Sequence, residues 1–152
     1  IMSKPAKYYI SLKCFLHNSK GEILILKTPD NSSFYGMYDF PGGRIDGDEF
    51  ETDYIDILKR ELLEEAGVSN IEIKKQVVAI ARHKAQAKFS SRWIDTYLYY
   101  NFFAAFLDSD QNIKISQEHQ EYLWVKLDEI KLEEYFCSWY LEAAKMYVNN
   151  KK

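Results

Sequence analysis

Three glutamates, Glu61, Glu64 and Glu65, stand within five residues of one another in a segment with helical periodicity. At about 3.6 residues per turn they occupy positions i, i+3 and i+4, so they share one face of the helix. Like charges at this spacing repel each other and destabilise a helix. Carboxylates are ligands that Mg²⁺ prefers when it engages phosphates. The cluster therefore predicts either a divalent-metal site, with Arg60 pairing one of the acids, or a solvated acidic surface.

The helix that carries these acids is predicted to run from Asp53 to Ala66. Asp53 is placed to cap its start, with Asp56 as a weaker substitute for a capping-box acid, and Gly67 is placed to end it. One stripe of this helix is apolar, which predicts that the acids emerge at the edge of the core. The stripe consists of Ile55, Leu58, Leu62 and Ala66.

A glycine pair precedes this helix in the sequence Pro41-Gly42-Gly43, which we predict to be a loop. Glycine has no Cβ, so its backbone can approach a ligand closely or adopt dihedral angles that other residues avoid. A glycine-rich loop that faces a helix of carboxylates favours a site for a metal-bound pyrophosphate.

The segment from Gly43 to Val68 resembles the signature of the Nudix (MutT-like) hydrolases. That signature reads Gly, five residues, Glu, seven residues, then Arg-Glu-aliphatic-any-Glu-Glu-any-Gly-aliphatic. Gly43 and Glu49 match its first part, and residues 60–68 match its second part at every specified position. Ten residues, however, separate Glu49 from Arg60.

The three additional residues are expected to lengthen the loop around positions 50–52 and to leave the helix intact. Phe50 is then expected to tuck against the start of the helix or to reach toward the nucleotide. Because of the insertion, Glu51 is an alternative to Glu49 for the role of the first signature glutamate.

The resemblance implies hydrolysis of a nucleoside diphosphate linked to another moiety, with Mg²⁺ or alternatively Mn²⁺ as cofactor. It implies that Glu64 and Glu65 bind the metal, that Glu61 binds a further metal or polarises the attacking water, and that Arg60 orients these acids. In many members a later loop adds a general base or a metal ligand. The candidates here are Glu118, His119 and Glu121, of which we interpret His119 as a loop histidine outside the site. The implied catalytic residues are Arg60, Glu61, Glu64 and Glu65. The implied metal ligands are the Gly42 carbonyl, Glu61, Glu64, Glu65 and either Glu118 or Glu121. The implied substrate-binding residues are Gly43, Arg44 and Glu49.

The remaining elements predict an α+β fold. Strands are predicted at Tyr8–His17, at 22–27, which forms a hairpin with the first strand, and at 71–84, 93–107 and 122–127, followed by a C-terminal helix over 132–147. The resemblance implies a Nudix-type α/β/α sandwich with a mixed sheet, formed by a single domain over residues 2–152.

Composition excludes several function classes. With 47% hydrophobic residues the chain is not expected to be disordered, and a net charge of −3 provides no general attraction to nucleic acid or anionic membranes. We find no signal peptide or apolar membrane span, and we expect Cys14 and Cys137 to be free thiols. These features predict a cytoplasmic location and no membrane or stable nucleic-acid partner. The resemblance implies a nucleotide substrate, and the protein is expected to be either a monomer or a homodimer.

The substrate is less closely defined. Some Nudix subfamilies carry a proline or a tyrosine about fifteen residues beyond the signature, where this chain has residues 81–84 with neither. The resemblance therefore favours a nucleoside triphosphate or a modified (d)NTP. The alternative substrates are ADP-ribose or a nucleotide sugar, and a dinucleoside polyphosphate. The alternative functions are isopentenyl diphosphate isomerisation and nucleotide binding without catalysis. Candidates for base stacking are Phe34, Tyr35, Tyr38 and Tyr97. Candidates for phosphate contact, or for a solvated hairpin end, are Arg82, His83, Lys84, Lys88 and Arg92.

Overall fold

The computed structural model describes residues 2–32 and 36–151, with the backbone alone for residues 87–89. Phe34, Tyr35 and the Lys88 side chain, which the sequence offered as substrate contacts, lie outside the described residues and side chains. None of the helices in this part of the chain has the length and hydrophobicity needed to span a bilayer.

The described strands form one mixed sheet, as predicted. The strands are β1 (Tyr8–His17), β2 (Ile23–Lys27), β3 (Tyr38–Asp39), β4 (Gly42–Arg44), β5 (Ile71–Phe89), β6 (Arg92–Leu107) and β7 (Glu121–Val125). Five of them lie in the order β3-β2-β1-β6-β5, while β4 pairs with β1 and β7 pairs with β2. Strand β1 is parallel to β6 and antiparallel to β2 and β4.

Strands β1 and β2 separate soon after the turn that joins them. Their predicted hairpin is confirmed only at its base, where His17 pairs with Ile23. Further along, β1 pairs with β4 from Ser11 to Lys13, whereas β2 pairs with β3 and β7. This change of partners positions the short strand β4 beside the N-terminal half of β1.

One helix covers each face of the sheet, which confirms the α/β/α sandwich. The helix α1 (Tyr54–Ala66) packs Leu58 and Leu62 against Leu12 of β1. The helix α2 (Ser138–Asn150) lies on the opposite face, where Tyr140 packs against Phe40 and Tyr147 stacks on Phe15. Alternate residues of β1 therefore belong to two different cores, as the strand pleat requires.

The C-terminal helix begins later than the sequence predicted. Residues Leu132–Glu134 form a separate 3₁₀ turn, and Cys137 has extended backbone angles (φ −70°, ψ 167°) that interrupt the chain before Ser138. The prediction of a helix from Leu132 was wrong because Leu132, Phe136 and Tyr140 all enter the same core. Their helical spacing in the sequence continues across residues whose backbone is not helical.

Both ends of α1 form as predicted. The Asp53 carboxylate accepts a hydrogen bond from the backbone N–H of Ile55 (2.9 Å), and Gly67 ends the helix in the left-handed conformation, with φ 67°. The residues before it form a 3₁₀ turn at Gly47–Glu49 and a bend, so α1 does not extend back to Glu49. Phe50 is 87% exposed, so the prediction that it tucks against the helix was wrong.

Replacing Asp53 with Ala should lower the free energy of unfolding, because the first turn of α1 loses its side-chain cap and Lys75 loses its ion-pair partner. Urea unfolding will measure the change. The control is Asp48→Ala, an exposed acid in the preceding 3₁₀ turn. Equal stability of the two variants would show that Asp53 does not cap the helix.

Candidate active site

The glycine pair Gly42-Gly43 lies in strand β4, not in the predicted loop. Glycine has little intrinsic preference for strands, and this strand exists because it pairs with β1. Gly42 has φ 140°, and a Cβ atom at this position would collide with the carbonyl oxygen of Leu12. A Cβ at Gly43 would lie 2.5 Å from each carboxylate oxygen of Glu61. The glycine pair therefore lets the backbone lie directly between β1 and the acids of α1.

Two of the helix acids are withdrawn from water. Glu65 is 8% exposed, and its Oε2 accepts a hydrogen bond from the Gly42 N–H at 3.0 Å. Burial, aided by the charge of Asp39 and opposed by Lys13, raises the pKa of Glu65 to about 7. Burial also raises the pKa of Glu61, against the opposing charge of Arg60. Both carboxyl groups therefore favour a nearby cation or a bound proton.

Arg60 connects the acids of the signature. Its Nη2 atom lies 3.0 Å from both carboxylate oxygens of Glu49, and its Nη1 atom lies 3.0 Å from Glu61 and 3.2 Å from Glu64. Glu51 is exposed, so the structure places Glu49 and not Glu51 beside Arg60. A planar guanidinium with several donors is suited to fixing acids in this way.

The carboxylate oxygens on α1 suit a hard divalent cation, but they do not converge on a single coordination site. Glu61 and Glu65 are oxygen ligands with raised pKa values, as expected for acids whose charge a cation balances. Glu64 is more exposed and faces Arg60. Within the described residues, no three acidic, histidine or cysteine side chains converge as a ready-made metal site.

A cavity of about 290 Å³ opens beside Glu65. An ion pair that the sequence analysis missed lies in its wall: Lys13 Nζ is 3.2 Å from Asp39, and both side chains are buried. Burial opposes the charge of Lys13, but Asp39 and Glu65 outweigh it and raise the pKa of Lys13. Burial likewise opposes the charge of Asp39, and Lys13 lowers the pKa of this carboxyl. Arg44, an expected substrate contact, also lines the cavity and lies over the Tyr9 ring.

The two candidate acids of the later loop take different positions. Glu118 is exposed and lines the cavity, as Glu65 does. Glu121 lies on β7, where it accepts a hydrogen bond from the Tyr38 hydroxyl (2.6 Å) and lies 3.9 Å from Lys27. His119 was interpreted as a loop histidine outside the site, but the structure buries it in the cavity wall. No feature of the sequence around His119 distinguishes it from an exposed loop histidine.

The basic stretch of β5 lies apart from the carboxylates. Arg82 and Lys84 line a different cavity of about 670 Å³, together with Tyr97, and no acid of α1 borders it. His83 stacks on Trp139 of α2, at 3.6 Å between ring centroids. The smaller cavity is therefore the candidate active site, because the acids, β4 and the buried ion pair meet there.

The comparisons with known proteins agree with this geometry. The sequence profile of the NUDIX domain matches residues 7–144. No curated protein sequence matches significantly. Among solved structures, the MutT protein from Methanosarcina mazei Go1 is 25% identical over 99% of both chains, with a TM-score of 0.72.

Two further structures share the fold. An Ap4A hydrolase from C. elegans is 17% identical, with a TM-score of 0.63 over 94% of this chain and 97% of that one. The NUDIX domain of Shewanella oneidensis NrtR, solved with ADP ribose, is 16% identical, with a TM-score of 0.63 over 97% and 90%. The chain belongs to the Nudix family, and it is a hydrolase acting on acid anhydrides.

Proposed function

We propose that this chain is a metal-dependent nucleotide pyrophosphohydrolase whose preferred substrate is a nucleoside triphosphate or a modified (d)NTP. The observation that carries the proposal is the arrangement of α1 against β4. Two acids with raised pKa values face a glycine backbone, one arginine holds three acids, and a polar cavity adjoins them. This arrangement suits a polyphosphate that arrives with a divalent cation.

The acids Glu61, Glu64 and Glu65, with the Gly42 carbonyl and Glu118, would hold Mg²⁺, for which Mn²⁺ can substitute. When bound, the cation neutralises phosphate charge and acidifies a water molecule. Glu64 has to exchange its contact with Arg60 for this role. Glu121 is the weaker alternative to Glu118, because it is already paired with Tyr38 and Lys27.

The other residues of the segment orient the catalytic acids or bind the substrate. Arg60 holds Glu61 in a fixed orientation through a guanidinium that Glu49 anchors on its far side. Arg44 is exposed at the cavity and supplies positive charge to phosphate oxygens. Gly43 leaves room for the Glu61 carboxylate against the backbone of β4. Glu61 then accepts a proton from the attacking water or binds a further metal ion.

The substrate class rests on the signature and on the similarity to the M. mazei MutT protein. Hydrolysis of ADP-ribose or a dinucleoside polyphosphate is the second candidate, favoured by the neighbours named for Ap4A and ADP ribose. We further propose one domain over residues 2–152, a cytoplasmic location, a monomeric or homodimeric state and no stable nucleic-acid complex.

Purified protein should hydrolyse at least one nucleotide in a panel of NTPs, 8-oxo-dGTP, ADP-ribose and Ap4A. Chromatography of the products will detect each case: a nucleoside monophosphate with pyrophosphate from a triphosphate, AMP with ribose 5-phosphate from ADP-ribose, and AMP with ATP from Ap4A. Mg²⁺ or Mn²⁺ should be required, and EDTA should abolish turnover because the acids then lack their cation. Turnover that persists in EDTA would contradict the metal dependence. Nucleotide binding without turnover of any panel member would instead support the non-catalytic alternative.

A further inference from the structure

The buried polar side chains of this protein are concentrated at one place. Seven polar or charged residues in the described part are buried, and six of them line the cavity beside Glu65. Buried polar groups are costly unless they are paired, so a protein seldom gathers them without a functional reason. The six residues are Ser11, Lys13, Thr28, Asp39, Glu65 and His119.

One buried atom of this group has no hydrogen-bond partner among the residues that the structure describes. Lys13 and Asp39 form an ion pair, the Thr28 hydroxyl donates to the Met37 carbonyl (2.7 Å), and Glu65 accepts from Gly42. His119 is 9% exposed, and its Nδ1 atom is itself buried and makes no hydrogen bond to any described residue. Leaving a buried acceptor or donor unsatisfied costs about 1–3 kcal/mol.

The groups around His119 indicate which ring nitrogen carries the proton and therefore which kind of hydrogen-bond partner suits Nδ1. Its Nε2 atom lies 3.9 Å from an oxygen of Asp39, which accepts hydrogen bonds and cannot donate one while ionised. The imidazole proton therefore belongs on Nε2, where it faces the carboxylate. Nδ1 then carries a lone pair and needs a hydrogen-bond donor.

We propose that Nδ1 of His119 accepts a hydrogen bond from an N–H group on the nucleobase of the substrate and thereby determines base specificity. The inference rests on the proposed function and adds to it the chemical class of base: one with an N–H donor on its edge. His119 acts here as a specificity residue and takes no part in the chemistry at phosphorus.

Phosphate oxygens do not suit this position. They are acceptors, as Nδ1 is, and the carboxylates of Asp39 and Glu65 lie on the same cavity wall. The remaining lining includes flat or apolar side chains, Pro29, Leu98 and Tyr100, which suit a planar ring. The base is therefore expected to lie against His119, Leu98 and Tyr100, while the phosphates lie against Arg44 and Glu65 in the same cavity.

The test compares His119→Gln with His119→Asn. The Gln amide reaches the position of Nε2 and keeps a donor for Asp39, whereas the Asn amide lies at the position of Nδ1 and keeps an acceptor there. The values of kcat/KM are measured for GTP, ATP and purine riboside triphosphate, a purine nucleotide whose base has no N–H donor. Thermal unfolding confirms that both variants fold.

The wild-type enzyme should favour GTP or ATP over purine riboside triphosphate by about 10–100-fold, as one satisfied buried acceptor predicts. His119→Gln should remove this preference, chiefly through KM, and His119→Asn should keep part of it. An unchanged preference in His119→Gln would overturn the inference. An equal loss of kcat for all three nucleotides would also overturn it, because His119 would then serve the chemistry or the fold.

A second readout does not need turnover. In protein with ¹⁵N-labelled histidine, saturating GMP or AMP should shift the Nδ1 resonance of His119, assigned by its absence in His119→Gln, and purine riboside monophosphate should shift it less. No response to any of the three would overturn the inference. If the resonance shifts but no triphosphate is hydrolysed, His119 still contacts the nucleobase of a bound nucleotide, and the proposed hydrolysis of triphosphates is contradicted.

Discussion

Replacing Glu65 with Gln should lower kcat/KM by about two orders of magnitude, because a ligand charge is lost while the shape of the side chain is kept. The Gln oxygen can still accept the hydrogen bond from Gly42, so β4 stays in place. Steady-state kinetics with saturating Mg²⁺ will measure the loss. Glu72→Gln is the control, since Glu72 is exposed on β5 and pairs only with Lys74 among the described residues. Near-wild-type activity in Glu65→Gln would remove this residue from the metal site.

The same variant should be more stable than the wild type when metal is absent. The pKa of Glu65 is about 7 in the folded protein, above its usual value of 4.5. Between these values the folded state binds a proton that the unfolded state has lost, so stability falls as the pH rises from about 4.5 to 7. A shift of this size corresponds to about 3 kcal/mol, which the neutral Gln does not lose.

Unfolding in EDTA at pH 5 and pH 8 will test this effect. The wild type should lose more stability between the two pH values than Glu65→Gln does. Parallel losses would mean that the Glu65 carboxylate is not strained by burial, whatever its role in catalysis.

The helix of the candidate site was predictable because its determinants are local. The cap at Asp53 and the stop at Gly67 lie within fifteen residues, and both act through short-range backbone geometry. Three of the four residues of the predicted apolar stripe are buried, whereas Ile57 is buried in place of Ile55. The cluster of acids follows from the same periodicity. These features require no knowledge of where the rest of the chain lies.

Strand β4 and the buried ion pair were not predictable in this way. Gly42 is extended because β1, about thirty residues away in sequence, supplies its hydrogen bonds. Lys13 lies in a strand where an alternating side chain is usually solvated, and only the fold brings Asp39 to it. His119 is buried for the same reason. Contacts between distant segments leave no trace in the spacing of either segment.

Gly43→Ala should lower kcat/KM by one to two orders of magnitude while the protein stays folded. The added Cβ would lie 2.5 Å from both oxygens of the Glu61 carboxylate, so this group must move away. Displacement of a catalytic group by about 1 Å can cost a hundredfold in rate. The stability cost should be small, because the displaced group is the end of a flexible side chain.

Gly47→Ala is the matched control for Gly43→Ala. Gly47 lies four residues further along, in the 3₁₀ turn before α1, and no atom lies within 4 Å of the position that its Cβ would take. The thermal unfolding temperatures of both variants should therefore be close to that of the wild type. The value of kcat/KM should fall in Gly43→Ala and stay at the wild-type level in Gly47→Ala. If Gly43→Ala keeps full activity, the orientation of Glu61 against β4 does not matter for catalysis. In that case the close approach of backbone to carboxylate is a packing feature, and Glu65 with Glu64 must carry the site.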